Sequence, residues 1–361
     1  MSNTVHNENI EFYGNIAAVH PGYHIQAIAD ELGMSQKELA ARLGITEKTM
    51  SCLLHEKAQM TPDIAERLYA VFGISAQTWM NMQTSYILHM HQIDELKRID
   101  AQMDILRKIE YGYFEKLENS KSKGGFRKQI QNLCNWLQVA DLQMLLAPQA
   151  FANFRTATKN TTEVNSLNTC AWLCYAQAKA RSIQTEEFSL KKLKNAIQAL
   201  KDLMLMPLGE AMEAAKSILA ECGVVFLFLP YMKNTNVNGA VTWFTPKKAA
   251  LIINDWRKSA DCFWFTFFHE IGHVLQQKHK MMLVSYHIPE EKELENDAND
   301  FANSLLMPDY DSFVSVKRNF AEIRGKALEL KILPGILAGR MARDGLIPHS
   351  LANMFITKIV L

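Results

Sequence analysis

The stretch Phe263-Trp264-Phe265-Thr266-Phe267-Phe268-His269-Glu270-Ile271-Gly272-His273-Val274-Leu275 constrains this chain more than any other. Its strongly apolar flanks predict a buried helix, yet the helix carries two histidines and a glutamate. Burying polar groups without partners is costly, so these three residues must meet something that repays their loss of water. His269 and His273 are four apart, one turn along the same helix face. That spacing lets both imidazoles reach one ion. Zinc held in this way is a Lewis acid that lowers the pKa of its water to about 7. Glu270, next to the first ligand, is placed to accept that water's proton. The pattern points to metal-assisted hydrolysis, most often of peptides.

Such a site needs a third protein ligand, and the residues leave three open. His279 follows His269 by ten residues, the spacing of the metzincin signature H-E-x-x-H-x-x-G-x-x-H. Gln276 stands where that signature needs glycine, so the helix is expected to run on past the metal. Farther along, residues 290–308 read as a helix whose first half is acidic. Ala298, Phe301, Ala302 and Leu305 form its apolar stripe by steps of three and four. Glu293 and Asp297 lie four apart on one edge of that stripe. Acidic residues at a helix start also complement its dipole, which accounts for Glu290, Glu291 and Glu293 better than for Asp297.

The pair His269-Glu270-Ile271-Gly272-His273 and Asp297-Ala298-Asn299-Asp300-Phe301-Ala302-Asn303-Ser304-Leu305-Leu306-Met307-Pro308 resembles the ImmA/IrrE family of zinc metallopeptidases, whose second helix typically reads E-A-N-x-F-A-x-x-L-L-x-P. The likeness extends over roughly 205–361. It implies a zincin-like domain with zinc as cofactor, His269, His273 and Asp297 as ligands and Glu270 as general base. Aspartate stands where the family has glutamate and is shorter by one methylene, about 1.5 Å of reach against a bond of about 2.0–2.2 Å. Closer helices, or Glu293 one turn earlier, would restore the bond.

A helix-turn-helix is legible near the N-terminus. Ser35 is placed to cap a helix with Glu38 completing a capping box, and Gly44 ends it. Thr46 caps the next helix, through Leu54. Thr61-Pro62-Asp63 opens another, stopped by Gly73. This segment resembles the Cro/repressor class. Through Thr61-Pro62-Asp63, Phe72 to Gln83 and Tyr86 it resembles the HigA-type antitoxin subgroup, over roughly 19–90. The resemblance implies that Gln36 meets a phosphate and that Thr46, Lys48, Thr49 and Ser51 face base edges. Residues 19–86 hold five Lys or Arg (Lys37, Arg42, Lys48, Lys57, Arg67) against seven acids (Asp30, Glu31, Glu38, Glu47, Glu56, Asp63, Glu66). Phosphate neutralisation is therefore weak in one copy, and a dimer on paired half-sites is the expected mode.

Between these ends, Leu96, Ile99, Met103 and Leu106 predict a long helix over about 93–118. Residues 120–125 read as a linker, and 126–222 as further helix without a chemical motif. Val224 to Leu229, Ala240 to Phe244 and Ala249 to Asn254 are short, β-rich and punctuated by turn residues, which predicts a small sheet. The fold class is thus mainly α with a small β-sheet (α+β) in the C-terminal half. Three domains are expected: 19–90, 91–205 and 206–361.

Six scattered cysteines without a C-x-x-C pair read as buried free thiols. The longest apolar run, Val224 to Leu229, is far short of the roughly 20 residues of a membrane span. With no signal sequence visible, a cytoplasmic, non-membrane protein is expected. The function read from all this is a DNA-binding regulator, a homodimer on operator duplex, whose zinc endopeptidase domain cleaves a repressor, an antitoxin or the chain itself. The alternative is an antitoxin-like autorepressor whose metal domain senses or binds a cognate toxin without proteolysis.

Overall fold

The computed structural model describes residues 9–120, 124–147, 162–235, 237–278, 283–286, 292–315 and 319–359. They fall into two compact units, 1–103 and 104–361. The expected middle domain, 91–205, is divided between them.

In the first unit, β1 (Ile10–Tyr13) pairs antiparallel with β2 (Ile16–Val19). Helices α1 (Pro21–Glu31), α2 (Gln36–Leu43), α3 (Glu47–Leu54) and α4 (Pro62–Phe72) follow, and α5 (Ala76–Lys108) begins here. The starts and stops of α2, α3 and α4 are those read from the sequence. Ser35, Thr46 and Thr61 accept the backbone N–H three residues on, and Gly44 and Gly73 end α2 and α4 in the left-handed conformation. The reciprocal half of the expected capping box is replaced: Glu38 bonds Arg42 at 2.8 Å. Ile25, Leu39, Met50, Leu53, Leu68 and Trp79 form the core.

The long helix differs from expectation. It starts at Ala76 and breaks after Lys108, and α6 (Tyr111–Leu117) is a separate helix. The cause is Asn168, fully buried, whose Oδ1 accepts from Glu110 N and whose Nδ2 donates to Lys108 O. Its amide takes over backbone groups that a continuous helix would pair internally.

The second unit continues with α7 (Phe126–Leu137), α8 (Glu163–Ser182), α9 (Leu190–Asp202) and α10 (Leu208–Glu221). Next come β3 (Val224–Phe228), β4 (Val237–Thr245), β5 (Lys248–Ile253), α11 (Ala260–Leu275), β6 (Leu283–Tyr286) and α12 (Lys292–Leu306). The chain closes with α13 (Tyr310–Val314), α14 (Phe320–Glu329), α15 (Pro334–Arg343) and α16 (His349–Ala352). The sheet order is β3-β5-β4-β6; β3 and β5 are parallel, and the other pairs antiparallel. The edge strand β6 adds a fourth member to the expected three.

Side-chain alternation divides the sheet's two faces. Val224, Phe226, Val241, Leu251 and Ile253 join Phe263, Phe267 and Ile271 of α11 in the main core. Val225 and Ala250 face the other way, toward Ala180 of α8. A sheet covered on both faces explains why β5 is a continuous apolar run rather than an alternating one. Among the described residues no helix is long and apolar enough to cross a membrane. All six cysteines are free thiols, with Cys170, Cys174 and Cys222 buried.

Candidate metal centre and nucleic-acid interface

Ser259 caps α11, its Oγ accepting from Cys262 N. Asp261, in the first turn, is buried and accepts from Thr357 N at 2.6 Å, which ties the start of the helix to the C-terminal segment. The helix does not run on past the histidines as expected. It ends at Leu275, and Gln277 takes φ +51°. Helix α12 packs across α11 at Gly272, where a Cβ would stand 3.0 Å from Ala298 Cα. The far end of α12 is held by Lys201, whose Nζ donates to Leu305 O at 2.9 Å.

His269, His273 and Glu295 converge where these helices meet. The two Nε2 atoms are 3.0 Å apart, and the Glu295 carboxylate oxygens lie 3.2 Å from His269 Nε2 and 3.3 Å from His273 Nε2. Donors bound at about 2.0–2.1 Å to a tetrahedral centre stand about 3.3–3.4 Å from one another. The three donors therefore fit one ion, and two imidazoles with one carboxylate is a donor set zinc accepts.

The carboxylate that meets the two histidines is Glu295, not Asp297. Asp297 is exposed and lies outside the cluster. The reason is helical phase: Ala298, Ala302 and Leu306 are fully buried, and a step of three back from Ala298 reaches Glu295. Asp297, two residues on, is turned by about 200°. The glutamate has its full reach, so the shortfall expected of an aspartate does not arise. His279 and the Glu293 side chain lie outside the described residues.

Both histidines of the cluster are oriented. His269 Nδ1 lies 3.1 Å from Asn299 Oδ1, and His273 Nδ1 lies 3.1 Å from Gln276 Oε1. Gln276 Nε2 in turn donates to Leu294 O at 2.8 Å. Burial disfavours the His273 imidazolium, but the hydrogen bond to Glu295 and the charges of Glu270 and Glu295 outweigh it and raise its pKa. Burial likewise opposes ionisation of Glu295, yet the two imidazoles bring its pKa down to about 2. A metal held here would compete with protons for the same imidazole and carboxylate atoms.

Glu270 is fully buried against β4. A Cβ on Gly239 would stand 2.4 Å from Glu270 Oε1, so only glycine leaves room for this carboxylate. Gly239 sits at a register shift between β4 and β6, where a bulge re-aims the strand. A small, half-open cavity of about 20 Å³ is lined by Asn238, Trp256, Arg257 and Thr266 among others. Asn238 precedes Gly239 in the strand, and Thr266 is one turn before Glu270 on α11. Gly239, Gln276, Glu295 and Asn299 are site residues that the sequence patterns above do not single out. The step from Ala298 back to Glu295, and a glycine inside a strand pattern, are the signals that point to two of them.

In the first unit, α2 and α3 form the helix-turn-helix pair. Arg67 of α4 fixes the turn, its Nη1 donating to Leu43 O at 3.0 Å while its Nε bonds Asp63. Lys48 and Thr46 are exposed, whereas Gln36, Thr49 and Ser51 are half-buried. The Thr46 and Thr49 hydroxyls bond each other at 2.8 Å, so both are partly occupied with capping.

A helix-turn-helix bundle and a His-His-Glu cluster define the class: a DNA-binding module joined to a metallopeptidase-like domain. Residues 24–83 match the Cro/C1-type HTH DNA-binding domain, and residues 220–314 match the IrrE N-terminal-like domain of peptidase M78. The chain belongs to the Cro/C1-type helix-turn-helix proteins and carries an IrrE N-terminal-like domain behind that module. It is similar to the uncharacterized HTH-type transcriptional regulator YddM of Escherichia coli K12, 43% identical over 68 residues covering 19% of this chain and 72% of that protein. Virulence-associated protein I of Dichelobacter nodosus is 35% identical over 79 residues, covering 22% and 73%. Among solved structures, an addiction module antidote protein of the HigA family from Coxiella burnetii is 28% identical, covering 23% of this chain and 92% of that one, with a TM-score of 0.21.

Proposed function

We propose that the chain is a transcriptional regulator whose second unit is a zinc-dependent endopeptidase acting on a protein partner or on the chain itself. What carries the reading is the convergence of His269, His273 and Glu295 within 3.3 Å of one another, with Glu270 buried beside them. A bound zinc ion would supply Lewis acidity to a water and to the scissile carbonyl. His269, His273 and Glu295 would hold it. Glu270 takes the proton from the attacking water as the C–O bond forms, and returns it to the amide nitrogen as the C–N bond breaks. The closed protein wall around Glu270 keeps bulk water from competing for that proton.

The first unit places α3 on duplex DNA, with Lys48 and Thr46 foremost, and a homodimer on paired half-sites supplies the affinity one copy lacks. A cytoplasmic location follows from that role. A glutamate of full reach beside the two histidines supports the hydrolytic reading over a metal domain that only senses or binds a toxin. The test is to incubate the zinc-loaded full chain with lysate and label newly formed N-termini. New termini that vanish in Glu270→Gln support the reading. Identical termini from both proteins would sink it.

A further inference from the structure

We infer that Gln276 and Asn299 are positioning residues that hold a proton on Nδ1 of both histidines, so that Nε2 is the atom left for a metal, and that Gln276 also fastens the helix that carries Glu295. The inference rests on the metal reading above. Three hydrogen bonds carry it. The amide orientation of Gln276 is fixed by its second bond: Nε2 donates to Leu294 O at 2.8 Å, so it is Oε1, an acceptor only, that faces His273 Nδ1 at 3.1 Å. His273 must then carry a proton on Nδ1, which makes Nε2 the atom turned toward His269 Nε2 and Glu295. Asn299 Oδ1 does the same for His269 at 3.1 Å, from the opposite helix.

The arrangement is a closed circuit between α11 and α12. Asn299 reaches from α12 to a ligand on α11; Gln276, at the end of α11, reaches to the backbone of α12 at Leu294, the residue next to Glu295. Both partners are neutral carboxamides, whereas a carboxylate in either place would add charge and make the imidazole a stronger donor. The site therefore holds one ligand charge, on Glu295, and the geometry rather than extra charge keeps the three donors together. Removing Gln276 frees one imidazole to rotate or change tautomer and releases the tether on the third ligand at once.

The experiment measures zinc affinity of the full chain by chelator competition, together with ring ¹⁵N NMR of the histidines in metal-free protein. Gln276→Ala and Asn299→Ala are expected to weaken zinc by about 10- to 100-fold, and to move His273 or His269, respectively, away from the Nδ1–H form. Gln276→Glu keeps an acceptor oxygen and is expected to restore the Nδ1–H signature without the bond to Leu294 O. A purely structural role would lower stability and leave the ring tautomer as it is. Unchanged tautomers and unchanged affinity in both alanine variants would overturn the inference while leaving the metal reading intact. If the wild-type chain takes no zinc, the metal reading fails, and the tautomer spectra still decide the role of the two amides. Should Gln276→Ala fail to fold, Gln276→Met keeps the bulk without the hydrogen bonds and is read in the same way.

Discussion

Two residues apart on one helix, Glu295 and Asp297 differ by whether they turn toward the ligand histidines or toward solvent. Metal analysis of full chain purified without chelator therefore has a sharp expectation. About one zinc per chain is retained in Asp297→Ala and lost in Glu295→Ala and His273→Ala, because a three-donor site reduced to two cannot close. Loss in Asp297→Ala instead would mean that α12 sits in another phase. His20 gives a second prediction at this scale. It caps α1 with its Nδ1 accepting from Gly22 N at 3.0 Å and is almost fully buried, and burial lowers its pKa. Protonated Nδ1 cannot accept that bond. The stabilisation is present above the ordinary histidine value of about 6.5 and is lost as pH falls below it, through the depressed folded-state pKa. The protection factors of α1 amides, which remove the pH dependence of intrinsic exchange, should fall as pH drops below about 6.5 in the wild-type chain. In His20→Ser, where the cap does not titrate, that pH dependence should disappear.

Elements position these residues through two close approaches. At Gly272 the backbone of α12 comes so near that a Cβ would touch Ala298 Cα at 3.0 Å. Gly272→Val should push the helices apart and cost about 1–3 kcal/mol as an overpacked contact, with zinc content falling alongside stability in thermal melts. At Gly239 the neighbour is the carboxylate of Glu270 at 2.4 Å. Gly239→Ala is expected to leave zinc content intact and abolish proteolysis, since it displaces only the proton acceptor; full cleavage by that variant would remove Glu270 from its role. The histidine pair is legible in the sequence because its spacing is a property of one helix. So are the caps at Ser35, Thr46 and Thr61, which depend on bonds three residues long. The third ligand stands two residues from where the family spacing points, because the phase set by the buried face at Ala298, Ala302 and Leu306 decides which carboxylate turns inward. The break in the long helix depends on Asn168, some 60 residues away, and no local pattern announces a partner at that distance.

At the scale of the molecule the question is how a chain of net charge +1 holds DNA. Residues 19–86 carry five basic and seven acidic side chains, and two of the basic ones are already engaged: Arg42 with Glu38, and Arg67 with Asp63 and the turn at Leu43. Lys37, Lys48 and Lys57 are exposed. If these three meet phosphates, a dimer neutralises about six, and log K should fall against log salt with a slope of about −5, a monomer about −3. Fluorescence anisotropy with a duplex selected from a random pool reads this directly. Lys48→Ala should reduce the slope by about one per protomer, whereas Thr46→Ala, which removes an uncharged side chain, should change sequence preference and leave the slope alone. A slope of about −10 would require cations beyond the helix-turn-helix, and the lysine-rich α9 of the second unit would then be the first place to look. The metal cluster adds no cation to the first unit, so Glu270→Gln should bind the same duplex with the same slope. If it does not, the state of the peptidase site reaches the DNA-binding helices, and cleavage and repression are parts of one switch.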